Sequence, residues 1–266
     1  MKCTESVMTS LERRTMLAVD FNVDDGVLEI DGDSNRNRIS IYVDEDRTLV
    51  QIDNHRVRNI DTDDFRSIDI NGAGGSDRIQ VFGSNASISI KIVGGAGDDR
   101  IQVESSSNSS RALISGGAGE DSIRSGAGFN EMFGGDGDDS LYVTRGRATI
   151  VGGNGDDKLS AQGANKVSTT RMLRGNSGRD TLIGSDFNDH LLGDGGRDRL
   201  YGNDGDDSIE GGDGIDTIFG GFGNDTIFGQ AWGDSMYGGD GSDFFSLEER
   251  SGGEIHDFLY GNDFAY

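Results

Sequence analysis

Along residues 175–246 a large apolar residue recurs at every ninth position: Leu182, Leu191, Leu200, Ile209, Ile218, Ile227, Met236 and Phe245. Each stands eighth in a block of nine that opens on glycine, at Gly175, Gly184, Gly193, Gly202, Gly211, Gly220, Gly229 and Gly238. Each block has aspartate at its sixth place: Asp180, Asp189, Asp198, Asp207, Asp216, Asp225, Asp234 and Asp243. The last three residues of a block predict a short strand, with the eighth side chain turned inward and the seventh and ninth outward. The first six predict a turn. A unit this small cannot bury a core alone, so the period predicts a solenoid of stacked coils.

The pattern continues upstream in looser form. Asp77, Asp99, Asp121, Asp139 and Asp157 stand at the same place in blocks such as GGAGDDRIQ and GGDGDDSLY. From Asp77 the spacings are 22, 22, 18 and 18, then 23 to Asp180, then 18 through Asp198, Asp216 and Asp234. This predicts one continuous row of turns on one side, with two nine-residue blocks per coil. The opposite side carries Asp189, Asp207, Asp225 and Asp243, whereas Asn130 and Ala148 hold the equivalent place farther upstream. The extra residues of the longer coils predict outer loops, such as Ser105–Ser110. Phe187 and Trp232 take a fourth place that is glycine in the other six blocks. A bulky side chain disfavours positive φ there, so those two turns are expected to depart from the rest.

The ends read differently. Residues 20–71 alternate apolar and polar positions (Val27, Leu28, Ile30; Ile39, Ile41, Val43; Val50, Ile52; Ile68, Ile70) and predict β-strands that cap the first coil. Gly32–Ser40 reads as a degenerate first turn with Asn37 at the aspartate place. Residues 1–19 predict a short helix or targeting segment, with Thr9 and Glu12 at capping-box spacing. Residues 247–266 end the repeats and supply Leu247, Ile255, Phe258, Leu259, Tyr260, Phe264 and Tyr266 for a C-terminal cap. The expected organisation is therefore all-β: a cap and degenerate coil over 20–71, irregular coils over 72–174, a regular parallel β-roll over 175–246, and a cap over 247–266.

Composition fits this picture. With 44 Gly, no Pro and only 33% hydrophobic residues, the chain cannot fill an ordinary globular core. A formal net charge of -24 argues against nucleic acid, which needs a basic surface, and against an anionic membrane. The partner this balance asks for is a cation. Cys3 is the sole cysteine, so no intrachain disulfide is expected. No apolar run is long enough to predict a transmembrane segment. The N-terminus lacks the continuous apolar core of a cleaved secretory signal, so export is expected to use another route.

The blocks GGDGIDTIF and GGFGNDTIF, with their six gapless neighbours, resemble the RTX, or haemolysin-type, repeat GGxGxDxUx. The resemblance implies a parallel β-roll that binds Ca²⁺ between turns of adjacent coils. Calcium is a hard cation that takes about six to eight oxygen ligands, which converging carbonyls and aspartate carboxylates can supply. It implies as metal ligands Asp77, Asp99, Asp121, Asp139, Asp157, Asp180, Asp189, Asp198, Asp207, Asp216, Asp225, Asp234 and Asp243. Residues 175–246 hold 15 acids against 3 bases. Four turns per side leave three gaps per side, hence about six ions, whose charge would cancel that excess. The turns with Phe187 and Trp232 are expected to bind weakly. The stretch LERRTML, Leu11–Leu17, resembles the LEPR-x-L-L motif of some large bacterial surface or secreted proteins, with Arg13 in place of its Pro. The final Asp263–Phe264–Ala265–Tyr266 is similar to the tail of some type I secretion substrates.

Enzyme signatures are missing: there is no HExxH and no GxSxG, and His55, His190 and His256 are scattered. The expectation is a secreted, extracellular or surface-located, non-catalytic calcium-binding protein. Two alternatives stand beside it. One is an adhesive or matrix scaffold at the cell surface, holding a cell-surface glycan or another protein. The other is a glycan-active β-helix enzyme related to alginate epimerases. The ninth-place residues Ile183, Tyr201, Phe219 and Tyr237 predict an outward apolar ladder on one side, which Leu192, Glu210, Phe228 and Ser246 do not match on the other.

Overall fold

The computed structural model describes residues 20–53, 55–83, 88–105, 107, 109–126, 128–162, 171–231, 233–246, 254–255 and 264–265. The expected helix over 1–19, Trp232, His256 and most of the expected C-terminal cap lie outside the described residues.

Short strands and glycine turns build a β-solenoid. Among the described residues, 26 strands divide equally between two sheets. Along the repeats, successive strands alternate between the sheets, so each coil adds one strand to each. Arg78–Gly83 is followed by Ser89–Ala96 in the opposite sheet, Arg100–Ser105 by Arg111–Ala118, and so on to Ser235–Asp240 and Phe244–Ser246. Neighbouring coils pair in parallel and in the register the spacing predicts. Leu200 faces Ile218 and Ile218 faces Met236 in one sheet, and Ile209 faces Ile227 and Ile227 faces Phe245 in the other.

The start of the solenoid is antiparallel. Asp20–Asp24 pairs with Val27–Asp31 in one sheet, and Arg38–Val43, Arg47–Ile52 and His55–Asp61 form a meander in the other. Val27–Asp31 and Arg38–Val43 also pair in parallel with the coil that follows. A hairpin at this end covers backbone groups that an open parallel edge would leave unpaired. Where the extra residues of one long coil begin and end, the Ser105 and Ser110 hydroxyls are 2.7 Å apart.

The core changes along the axis. The strands Arg78–Gly83 and Ser89–Ala96 of one coil turn four buried apolar side chains inward, Ile79, Val81, Ile90 and Ile92, and Ile88 between them is buried too. The coil of Arg199–Asp204 and Ser208–Gly214 has two, Leu200 and Ile209. Where the first coil places Val81 and Ile90, the second places Gly202 and Asp207. Each buried aliphatic side chain contributes roughly 1.5–3 kcal/mol, so the later coils are poorer by several kcal/mol each. Something else must hold them.

The outward ladder forms as predicted. Tyr201 and Phe219 stack with ring centroids 5.1 Å apart, and Phe219 and Tyr237 at 4.7 Å. On the other sheet Glu210 interrupts the row, and Phe228 meets Phe244 edge-on at 6.4 Å.

Candidate metal centre

From Asp77 to Asp234, each turn leaves the sheet that holds Ser89–Ala96 and closes on the sixth-place aspartate. In the turn Gly94–Asp99, a Cβ at Gly94 would collide with Asp99 Oδ2 and with the carbonyl oxygen of Gly116 on the next coil. The first glycine is therefore required because a carboxylate and a carbonyl occupy its missing side chain's space. The second, Gly95, has φ +117, a conformation that L residues rarely adopt.

The aspartates form a ladder along the axis. The backbone N–H of Asp77 donates to Asp99 Oδ1 at 2.7 Å, Asp99 to Asp121 at 2.7 Å, Asp121 to Asp139 at 2.7 Å, and Asp139 to Asp157 at 2.8 Å. The row continues from Asp157 to Asp180 and Asp198 at 2.8 Å, and from Asp198 through Asp216 to Asp234 at 2.8 and 2.9 Å. Asn37 heads it, donating from its backbone to Asp77 Oδ1 at 2.7 Å. The opposite side has the same arrangement from Asp189 through Asp207 and Asp225 to Asp243, at 2.7, 2.9 and 2.8 Å. All thirteen aspartates predicted from the sequence are at most 2% exposed, and the two rows gather them.

One oxygen of each carboxylate is thus committed to the backbone of its neighbour. The other is buried without a hydrogen-bond partner in Asp77, Asp99, Asp121, Asp139, Asp157, Asp180, Asp198, Asp207, Asp216 and Asp225. A buried, partnerless carboxylate oxygen is costly and calls for a cation. No three or more Asp, Glu, His or Cys side chains converge on one point among the described residues. The further ligands must then come largely from carbonyls, such as that of Gly116 beside Asp99 Oδ2. An all-oxygen set of hard donors with few carboxylates per site fits Ca²⁺. When bound, the ion would neutralise the rows and cross-link adjacent coils.

Two turns differ, those in which a bulky residue replaces the fourth glycine. Asp189 Oδ2 accepts from the backbone N–H of Ser185 at 2.6 Å and from its hydroxyl at 2.8 Å. Neither Ser185 nor Phe187 has positive φ. Asp234 Oδ2 accepts from Ala231 N–H at 3.2 Å, and Gln230 and Gly233 carry positive φ in that turn. In both, the aspartate turns its second oxygen back into its own loop.

Upstream on the second side, the inward column is Leu28, Ile68, Ile90, Ala112, Asn130 and Ala148. The next position, in front of Asp189, is Arg171, buried at 1% exposure. Arg171 and Ser185 are missing from the sequence-derived set. The signal was present, since Arg171 lies 18 residues before Asp189, but the longer coil that precedes it breaks the nine-residue count. His190 lies half-exposed on the outer face, with Nε2 3.7 Å from Glu210.

Burial pushes the carboxyl of Asp207 up to about 8, and those of Asp121, Asp157, Asp216 and Asp225 to about 7. Asp77, Asp139, Asp180 and Asp198 rise to about 6 for the same reason. The N–H from the preceding coil pulls each one down, and neighbouring aspartates push it up. Without metal, the folded coils therefore hold protons more tightly than the unfolded chain. That stability is fully present below the unfolded value of about 4 and is lost as pH rises through about 6 to 8. In chelator, acidification from about pH 8 to about pH 5 is expected to raise the thermal midpoint, and saturating calcium should flatten the dependence. A chelated chain more stable at the higher pH would contradict this.

No curated protein and no solved structure matches the chain. The family model of the RTX calcium-binding nonapeptide repeat (4 copies) matches residues 91–107, 115–150, 143–165, 174–209, 201–231 and 210–245, together more than half of the sequence. With buried aspartates at the matched turns, from Asp99 to Asp243, the chain belongs to the RTX calcium-binding nonapeptide repeat family.

Proposed function

We propose that this protein is a secreted, non-catalytic calcium-binding module whose coils are completed by several Ca²⁺ ions held between successive turns. The observation that carries the reading is the repeated buried Oδ2 without a partner, from Asp77 to Asp225, beside a glycine carbonyl in most of these turns. The ligands are the sixth-place aspartates of both rows, with the turns at Phe187 and Trp232 contributing least. About six ions belong to residues 175–246, with affinities on the order of 10⁻⁴–10⁻³ M, the range of extracellular modules. Such a chain would be loosely structured in the low calcium of a cytosol and ordered outside the cell.

Equilibrium dialysis of the full chain against calcium tests this. Several ions per chain, half-saturating in that range, are expected. One ion or none at several millimolar calcium (about tenfold above the expected affinity) would overturn the reading.

A further inference from the structure

The second row does not start as the rest of it continues. Its first aspartate, Asp189, is preceded in the column by Arg171, whose guanidinium lies among buried groups. Nη1 is 3.9 Å from Asp189 Oδ1 and donates to the Ser185 hydroxyl at 2.5 Å. That hydroxyl donates in turn to Asp189 Oδ2 at 2.8 Å. The Arg171 backbone N–H donates to Asp189 Oδ1 at 3.2 Å, the role that an aspartate N–H plays elsewhere in the row. Nη2 donates to the carbonyl of Gly146 on the preceding coil at 3.3 Å, and Cζ lies 5.9 Å from the centre of the Phe187 ring.

The guanidinium thus stands between the turn of one coil and the aspartate of the next, where an ion would stand farther down. Both oxygens of Asp189 are satisfied, one by Arg171 and the other by Ser185, whereas Asp207 Oδ2 has no partner. Arginine keeps its charge under all ordinary conditions, so this cation cannot be withdrawn. The other row is headed differently, by the neutral Asn37, whose Nδ2 donates to Asp33 at 3.2 Å.

We propose that Arg171 is a resident cation that heads the second row, holding Asp189 in place of a metal ion, so that ion binding on this side begins below Asp189. The inference rests on the calcium reading above, adds a boundary to it and takes Asp189 out of the ligand set. On one side of Arg171 the column is largely apolar and needs no ion, and on the other it is a row of carboxylates. The protein's own charge closes the junction and satisfies the first carboxylate without a metal ion.

The test is a double-mutant cycle in the full chain at saturating calcium, read by thermal midpoint and by the number of ions bound. Removing one member of a buried pair leaves the other uncompensated, and removing both does not. Arg171→Met and Asp189→Asn are each expected to lower the midpoint by on the order of 10 °C. The double variant should recover toward wild type and bind the same number of ions. An Arg171→Met chain with the wild-type midpoint would overturn the proposal. So would a double variant no better than the worse single, or one that loses an ion together with Asp189. A wild-type chain that binds no calcium would instead overturn the calcium reading, which that count decides alone.

Discussion

Replacing Asp216 with alanine should raise the calcium concentration needed for folding by about tenfold or more, whereas the same change at Asp77 should raise it only a few-fold. Asp216 sits mid-row. Its Oδ1 accepts from Asp198 N–H at 2.8 Å, its own N–H donates to Asp234 at 2.9 Å, and its Oδ2 is buried without a partner. It therefore borders two gaps between carboxylate-bearing turns, in a part of the roll where each coil has only two inward apolar residues. A hydrogen bond to a charged group contributes about 1.5–3 kcal/mol, which converts to tenfold or more in an equilibrium. Asp77 makes the same bonds but borders Asn37, not a carboxylate, on one side. Its coil also keeps Ile79, Val81, Ile90 and Ile92. Calcium titrations followed by circular dichroism measure both midpoints, and identical midpoints would count against unequal turns.

The unequal turns also show how far the residues alone reveal the site. A strict nine-residue period carries strand, turn, inward residue and register together, because each place in the block has one structural task. Leu200, Ile218 and Met236 fall in register for that reason, and the ladder of Tyr201, Phe219 and Tyr237 follows from the same count. Glycine at the fourth place is a legible requirement of backbone conformation, so Phe187 and Trp232 mark departures in the amino-acid pattern itself. What the departure at Phe187 does is not legible there. Asp189 turns back to Ser185 beside a buried arginine from another coil, and no local rule links the two. Arg171 itself is hidden by the irregular length of the coil before it. The meander of Arg38–Val43, Arg47–Ile52 and His55–Asp61 is legible as strands but not as antiparallel, since alternation fixes the face a side chain takes and not the direction of its neighbour.

The change in core along the axis yields the second large effect. Coils near Ile79 to Ile150 bury up to five apolar side chains each, while those from Leu182 to Phe245 bury two and carry a row of aspartates on each side. On the proposed calcium reading the first group is held largely by the hydrophobic effect and the second by cations, so withdrawal of calcium should act on the second. Amide hydrogen exchange of the full chain at neutral pH, in chelator and in about 5 mM calcium (above the expected affinity range), reads both groups at once. In calcium, all strands from Arg78 to Ser246 should be protected. In chelator, protection over residues 181–246 should be lost while residues 78–154 keep most of theirs. Equal protection of residues 181–246 in chelator and in calcium would contradict the claim that calcium is part of this fold.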